Sequence, residues 1–262
     1  MTPPVRQAAT VIVVREASPG FQVFMVRRNR AVAFMPHAWV FPGGRVDEAD
    51  ARIAADLGEH VEPGADPGGP AAAIRVAAAR ETFEESGIWL GLLPPTPAER
   101  VRLNSRPPTL SLADLLRVPG RTLELGRLRP WSRWITPAEE PRRYDTWFFL
   151  AEVGQVDARH DAGETVDSAW LPIDEAVASA EAGRLPMAPP TWWTLRQLQQ
   201  ARDLDGLRSA PVDLRPITPV LESGPDGLAL LLPGHERHPA PPREHLPSRI
   251  TFAQGRWWAE GG

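Results

Sequence analysis

Residues Arg80-Glu81-Thr82-Phe83-Glu84-Glu85-Ser86-Gly87-Ile88, RETFEESGI, decide how this chain is read. Placed on a helix, Glu81, Glu84 and Glu85 fall at i, i+3 and i+4, so their carboxylates share about a third of the helix circumference. Ala72, Val76, Ala79 and Phe83 point the other way, towards an expected core, and Ile74 fits this division poorly. Arg80 lies one turn before Glu84 and can pair with it. Gly87 predicts the end of the helix, because a left-handed cap residue is commonly glycine. The expected helix runs from about Ala71 to Ser86, with Pro70 near its first turn.

Acids crowded on one helical face repel one another, and two explanations are open. An acidic stripe on a solvated helix costs only a few tenths of a kcal/mol per like-charged pair. Alternatively, clustered carboxylates suit a hard, oxygen-seeking cation, Mg2+ or Mn2+. Just upstream, Ala38 to Phe41 reads as a short strand running into Pro42-Gly43-Gly44, where two glycines let the backbone pass close to a ligand.

RETFEESGI resembles the core of the Nudix box, Arg-Glu-x-x-Glu-Glu-x-Gly followed by an apolar residue, and Phe41-Pro42-Gly43-Gly44 resembles the loop that opens it. The usual box runs directly from its first glycine through a further Glu to the Arg-Glu. Here an insertion at about 45–69 intervenes, and the further glutamate is replaced near Ala72. The peroxisomal coenzyme A diphosphatase branch of the Nudix hydrolases, with its bacterial relatives, tolerates this gap. Phe34 to Gly44 followed by Asp47 and Asp50, Arg143 to Leu150, and Leu231-Leu232-Pro233-Gly234 are very similar to that branch, so the resemblance spans most of the chain.

Composition sets wide bounds. The chain has 262 residues, a formal net charge of -4 and 24% charged residues, with nothing polybasic to argue for a nucleic-acid polymer as partner. Cysteine is absent, which removes disulfides, thiolate nucleophiles and cysteine-ligated zinc. No apolar run is long enough for a membrane span or a signal-peptide core, so cytoplasm is the default. The chain ends Trp258-Ala259-Glu260-Gly261-Gly262, unlike a Ser-Lys-Leu address.

Ala8 to Arg15 and Phe21 to Arg28 predict a hairpin that ends in Arg27, Arg28 and Arg30. These arginines are either a solvated strand end or phosphate contacts, since guanidinium forks match phosphate oxygens. A weak acidic helix over 49–57 and a Gly/Pro-rich loop fill the insertion. Leu90 to Glu99 reads as a turn into a loop, Leu110 to Leu116 as a short helix capped by Ser111, and Arg121 to Leu128 as strand or helix. Strands are expected at 130–135 and 144–153, with Arg142, Arg143 and Asp145 at the entry of the second. A helix from about Ile173 to Ala182, capped by Asp174, and another at 191–204 follow. The tail predicts short strands and a hairpin around Gln254-Gly255, and its His235, His238 and His245 make a poor metal set in an irregular, proline-rich setting.

The resemblance implies an α/β fold: the Nudix α/β/α sandwich with a mixed, partly curled sheet, the box as loop-helix-loop on one side. The Nudix domain would take residues 1–205 and a C-terminal extension 206–262, packed on the core or on a partner subunit. It implies hydrolysis of a diphosphate linkage, foremost in coenzyme A or acyl-CoA, with ADP-ribose, NADH, FAD and nucleoside triphosphates as other substrates. A non-catalytic nucleotide sensor is the rival class. Glu81, Glu84, Glu85 and the Gly43 or Gly44 carbonyl would hold the metal. Glu81 or Glu164 would serve as general base, with Asp161 the rival of Glu164, and Arg80 would orient Glu84. Arg27, Arg28, Arg30 and Arg143 would meet the substrate. A homodimer is also compatible with the resemblance.

Overall fold

The structure is a computed structural model and describes residues 3–30, 36–56, 71–161, 163, 165–224 and 227–260. Strands β1 (Val5–Glu16) and β2 (Phe21–Arg28) form the expected hairpin, antiparallel from Val14↔Val23 to Glu16↔Phe21. The chain returns through β3 (Trp39–Val40), paired with β2, and β4 (Gly43–Arg45), paired with β1 at Ala8 to Thr10. Helices α1 (Glu48–Asp56) and α2 (Ala72–Ser86) follow, then the short helices α3 (Pro97–Leu103) and α4 (Leu112–Leu116). Strand β5 (Arg129–Ile135) lies antiparallel to β6 (Arg143–Glu152), and β6 runs parallel to β1. Strand β7 (Thr165–Pro172) covers the other edge of β2. Helices α5 (Ile173–Glu181), α6 (Pro189–Leu198) and α7 (Leu204–Ser209) come next.

Successive residues of a strand point to opposite faces, and this sheet is apolar on both. Ala9, Val11, Val13, Phe24, Val26, Trp147, Phe149 and Ala151 meet α2 and the 90–128 segment. Their sequence neighbours Ile12, Val14, Phe21, Val23, Met25, Phe148 and Leu150 meet α5 and α6. A sheet that is apolar on both sides must carry a layer on each, and the result is an α/β/α sandwich.

The curl expected of the sheet is not observed. The strand order β3-β2-β1-β6-β5, with β4 on β1 and β7 on β2, has ends that do not pair, so the mixed sheet is neither curled nor closed. The hairpin gives the reason: β1 and β2 pair only near their turn and then diverge, and β3 and β4 fill the space between them. At the far edge the backbone of Ile217, from outside the sheet, bonds to Arg133 and Ile135 of β5.

Helix α2 differs from its expected two-sidedness. Ala72 is exposed, Ile74 is buried, and Ile74 to Ala79 are buried without a break. The helix is enclosed by the sheet, by α1 and by a 3-10 turn at Leu125–Arg127, where the buried Arg75 guanidinium donates to the Leu125 carbonyl at 3.2 Å. Helix α3 lies partly where a loop was expected. Its cap, Thr96 with Glu99, is a complete capping box, as is Ser111 with Asp114 on α4. The cap of α5 is Pro172, not Asp174, whose carboxylate instead accepts from Gln199 at 2.9 Å.

The tail forms a second antiparallel sheet from β8 (Val220–Gly224), β9 (Gly227–Leu231), β10 (Arg249–Ala253) and β11 (Arg256–Glu260). Gln254 and Gly255, both at positive φ, make the β10–β11 turn that was expected there. Leu230, Leu232, Leu246 and Ile250 pack into the same core as α5 and α6. The ring of His238 lies 3.0 Å from the Thr218 carbonyl, and the tail histidines join no metal-holding group among the described residues. No described helix is long and apolar enough to cross a membrane.

Candidate functional site

The acidic face of α2 lies against the glycine strand β4. The Gly43 N–H donates to Glu85 Oε2 at 3.0 Å. A side chain at Gly43 would strike the Ala9 carbonyl and Thr10, and one at Gly44 would strike the Glu81 carboxylate. Glycine is therefore required at Gly43 by close approach to backbone, not by backbone dihedrals, whereas a side chain at Gly44 would displace the Glu81 carboxylate. Gly87, at φ 76°, ends α2 with its N–H on the Phe83 carbonyl at 2.8 Å, as the sequence predicted.

Arg80 pairs with Glu84 at 3.2 Å and with Glu81 at 3.0 Å, but its strongest partner is Asp50 of α1. Asp50 is wholly buried, and its two oxygens accept from Arg80 Nε at 2.8 Å and Nη2 at 2.9 Å. Nη2 also donates to the Arg45 carbonyl at 3.0 Å. The sequence hid the pairing of Arg80 with Asp50 because the two residues are 30 positions apart. Of the stretch 45–69, Arg45 ends β4, residues 48–56 form α1, and 57–69 lie outside the described residues.

Glu81, Glu84 and Glu85 line one cavity of about 930 Å³, together with Gly43, Gly44, Arg28, Asp161 and Tyr144. Among the arginines proposed for substrate, Arg28 alone lines it. The described residues offer its guanidinium no hydrogen bond or ion pair, and its Nε is buried without a partner. The pairing of β2 with β7 shifts register between Arg27 and Arg28, a local irregularity of the kind that re-aims side chains. Arg27 lies 3.6 Å from Asp167, Arg30 is exposed, and Arg143 donates to the Thr136 and Pro137 carbonyls at 3.2 and 3.1 Å. Asp145 accepts from Arg133 Nε at 2.8 Å and Nη2 at 2.7 Å. Glu164 lies outside the described residues, whereas Asp161 borders the cavity and holds the Thr165 N–H at 2.9 Å.

A profile of the NUDT19 Nudix domain matches residues 65–198. The human acyl-coenzyme A diphosphatase NUDT19 is 30% identical over 83% of this chain and 72% of its own length. The chain belongs to the NUDT19 Nudix family. A Caenorhabditis elegans nudix hydrolase is 30% identical over 76% of this chain, which spans 62% of that protein. The crystal structure of a NUDIX hydrolase from Alicyclobacillus acidocaldarius superposes with a TM-score of 0.71 at 29% identity, over 81% of this chain and 99% of that one. By family and fold the protein is a Nudix hydrolase, an enzyme that cleaves phosphoanhydrides.

The electrostatics of the Nudix box show what its acids lack. Burial pushes Glu84 up to about 7, against the pull of Arg80, and Glu81 adds to the rise. Burial, then the charge of Glu81, raises Glu85 well above the usual carboxylate range. Charged carboxylates in this cavity therefore need more positive charge than Arg80, at Glu84, and Arg28, at Glu85, provide. Hard oxygen donors in such a setting fit a divalent cation in kind, as Nudix proteins generally use. No group of three or more acids or histidines among the described residues already surrounds one point. Glu81 and Glu84 turn to Arg80, and Glu85 to Gly43.

Proposed function

We propose that this Nudix hydrolase cleaves the diphosphate of coenzyme A or an acyl-CoA, giving 3',5'-ADP and 4'-phosphopantetheine or its acyl form, with Mg2+ or Mn2+ bound. The observation that carries the reading is the cavity itself, in which the box glutamates share a lining with an Arg28 guanidinium that no described residue hydrogen-bonds. The relatives named as acyl-coenzyme A diphosphatases in human and chicken support the substrate.

Glu81, Glu84, Glu85 and the Gly43 carbonyl would hold the cation, which supplies charge neutralisation at the phosphoryl oxygens and a more acidic water. Arg80, with its guanidinium already bonded to Asp50, Glu81, Glu84 and the Arg45 carbonyl, orients acids and is not the electrophile. Arg28 binds the diphosphate through its guanidinium N–H groups. A carboxylate of the cavity, Glu81 or Asp161, or Glu164, takes the proton of the attacking water. The water oxygen bonds to phosphorus and the bridging oxygen departs with the other phosphate.

The test is a product assay with Mg2+ and with Mn2+, wild type beside E85Q, using coenzyme A, acyl-CoAs, ADP-ribose, NADH, FAD and dGTP. Release of 3',5'-ADP from the coenzyme A species, lost by at least ~100-fold in a folded E85Q, is the expected result. Preference for another member would retain the chemistry and discard coenzyme A. E85Q turning over like wild type would remove the site assignment.

A further inference from the structure

The carbonyl of Glu84, in the last turn of α2, receives an unusual set of donors. Arg100 Nη2 reaches it at 2.9 Å and Nε at 3.3 Å, and Asn104 Nδ2 at 2.8 Å. All come from α3. The same Arg100 Nη2 donates to the Arg159 carbonyl at 2.8 Å, and the Arg159 N–H returns to the Ser86 carbonyl at 2.9 Å. The guanidinium also lies where a side chain on Gly87 would fall, so the helix cap leaves room for it. Arg159 is two residues from Asp161, which borders the cavity beside Glu85.

The other end of this brace is anchored. Glu99 caps α3 through Thr96 and also takes both arms of the buried Arg121, at 3.0 and 3.2 Å. Arg121 in turn donates to the Leu93 carbonyl at 3.0 Å. Capping α2 alone would need only one donor on the Glu84 carbonyl, and Gly87 already closes that helix. What the extra donors add is a fixed joint between the box helix and the segment before β7.

We infer that Arg100, assisted by Asn104, is a positioning residue of this enzyme: it locks the Asp161 segment to the end of the box helix and so sets Asp161 against Glu85. The inference rests on the hydrolysis proposed for this acid face, with Asp161 taking part in it.

Two measurements test it, one of which needs no substrate. In R100A, amide hydrogen exchange at Arg159 and Thr165 should accelerate at least ~10-fold while the buried centre of α2 keeps its protection. In turnover, R100A should lose ~10- to 100-fold in kcat with KM within about 3-fold, the scale expected from a misplaced catalytic group. R100K, which keeps the charge but not the fork, should fall between. The double variant R100A/D161A should be no slower than D161A, because Arg100 acts through Asp161. Unchanged exchange and turnover in R100A, losses that multiply in the double variant, or a harmless D161A would each overturn the assignment. If R100A does not fold, R100K carries the same comparisons. A wild type silent on every substrate, with exchange at Arg159 accelerated in the variant, would leave the joint standing and remove the proposed substrate instead.

Discussion

Replacing Asp50 by Asn tests whether the acid supplied by α1 is what holds the box arginine in place. The substitution keeps shape and volume but no orientation of the amide can succeed. One oxygen of Asp50 accepts from Arg80 Nε, and the other accepts from both Arg80 Nη2 and the Asp47 N–H. Whichever way the asparagine turns, its NH2 faces a donor in a site with no water access. Removing one partner of a buried ion pair costs about 3–5 kcal/mol. Arg80 retains Glu81 and Glu84, so the loss here should sit lower, at about 2–4 kcal/mol. At about 2–4 °C per kcal/mol for a chain of this size, D50N should melt roughly 4–16 °C below wild type. The assay is thermal denaturation followed by circular dichroism, with D47N as control. Asp47 is 60% exposed and 4.0 Å from Arg80, so its loss should stay within about 0.5 kcal/mol. D50N melting within about 2 °C of wild type would refute the reasoning.

Arg28→Ala should lower kcat/KM by ~10- to 1000-fold, as expected for a lost charged contact, while Arg30→Ala stays near wild type; equal effects of the two in steady-state kinetics would contradict the contrast drawn between them. Gly44→Ala should displace the Glu81 carboxylate and reduce turnover at least ~10-fold with little change in melting temperature, since the end of a side chain can move where backbone cannot. The Arg121 bond and the cap at Thr96 hold Glu99 down to about 2, below its ordinary 4.5. A depressed carboxylate stabilises the fold above its unfolded value and loses that contribution as pH falls towards its folded value. The stability gap between wild type and E99Q in urea should therefore be full at neutral pH and shrink below pH 4.5; a gap constant down to pH 3 would speak against the pairing.

What the sequence disclosed was local. The β1–β2 hairpin, Gly87, the Ser111 cap and the Gln254-Gly255 turn each announce themselves within a few residues, and each is present. Thr96-Pro97-Ala98-Glu99 carried an equally local signal, a capping box with proline at the first helical position, that a loop reading passed over. Other features depend on distance. Helix α2 is enclosed on several sides, which erases the periodicity that would have shown which residues are buried. Arg143 resembles a substrate contact in sequence, and its Nε contacts to the Thr136 and Pro137 carbonyls depend on the fold. The openness of the sheet is likewise a matter of strands diverging, which no strand records in its own residues.

The ion pair between Asp50 and Arg80 also bears on how far the segment between α1 and α2 can vary in length. It closes a chain segment whose ends are already held side by side by the contact of α1 with α2. The entropy of closing such a segment grows only logarithmically, so doubling it costs about 0.6 kcal/mol. Residues could thus accumulate or disappear between the two helices with almost no penalty to the catalytic geometry. The acid that serves the arginine lies far from the box in sequence and against it in space.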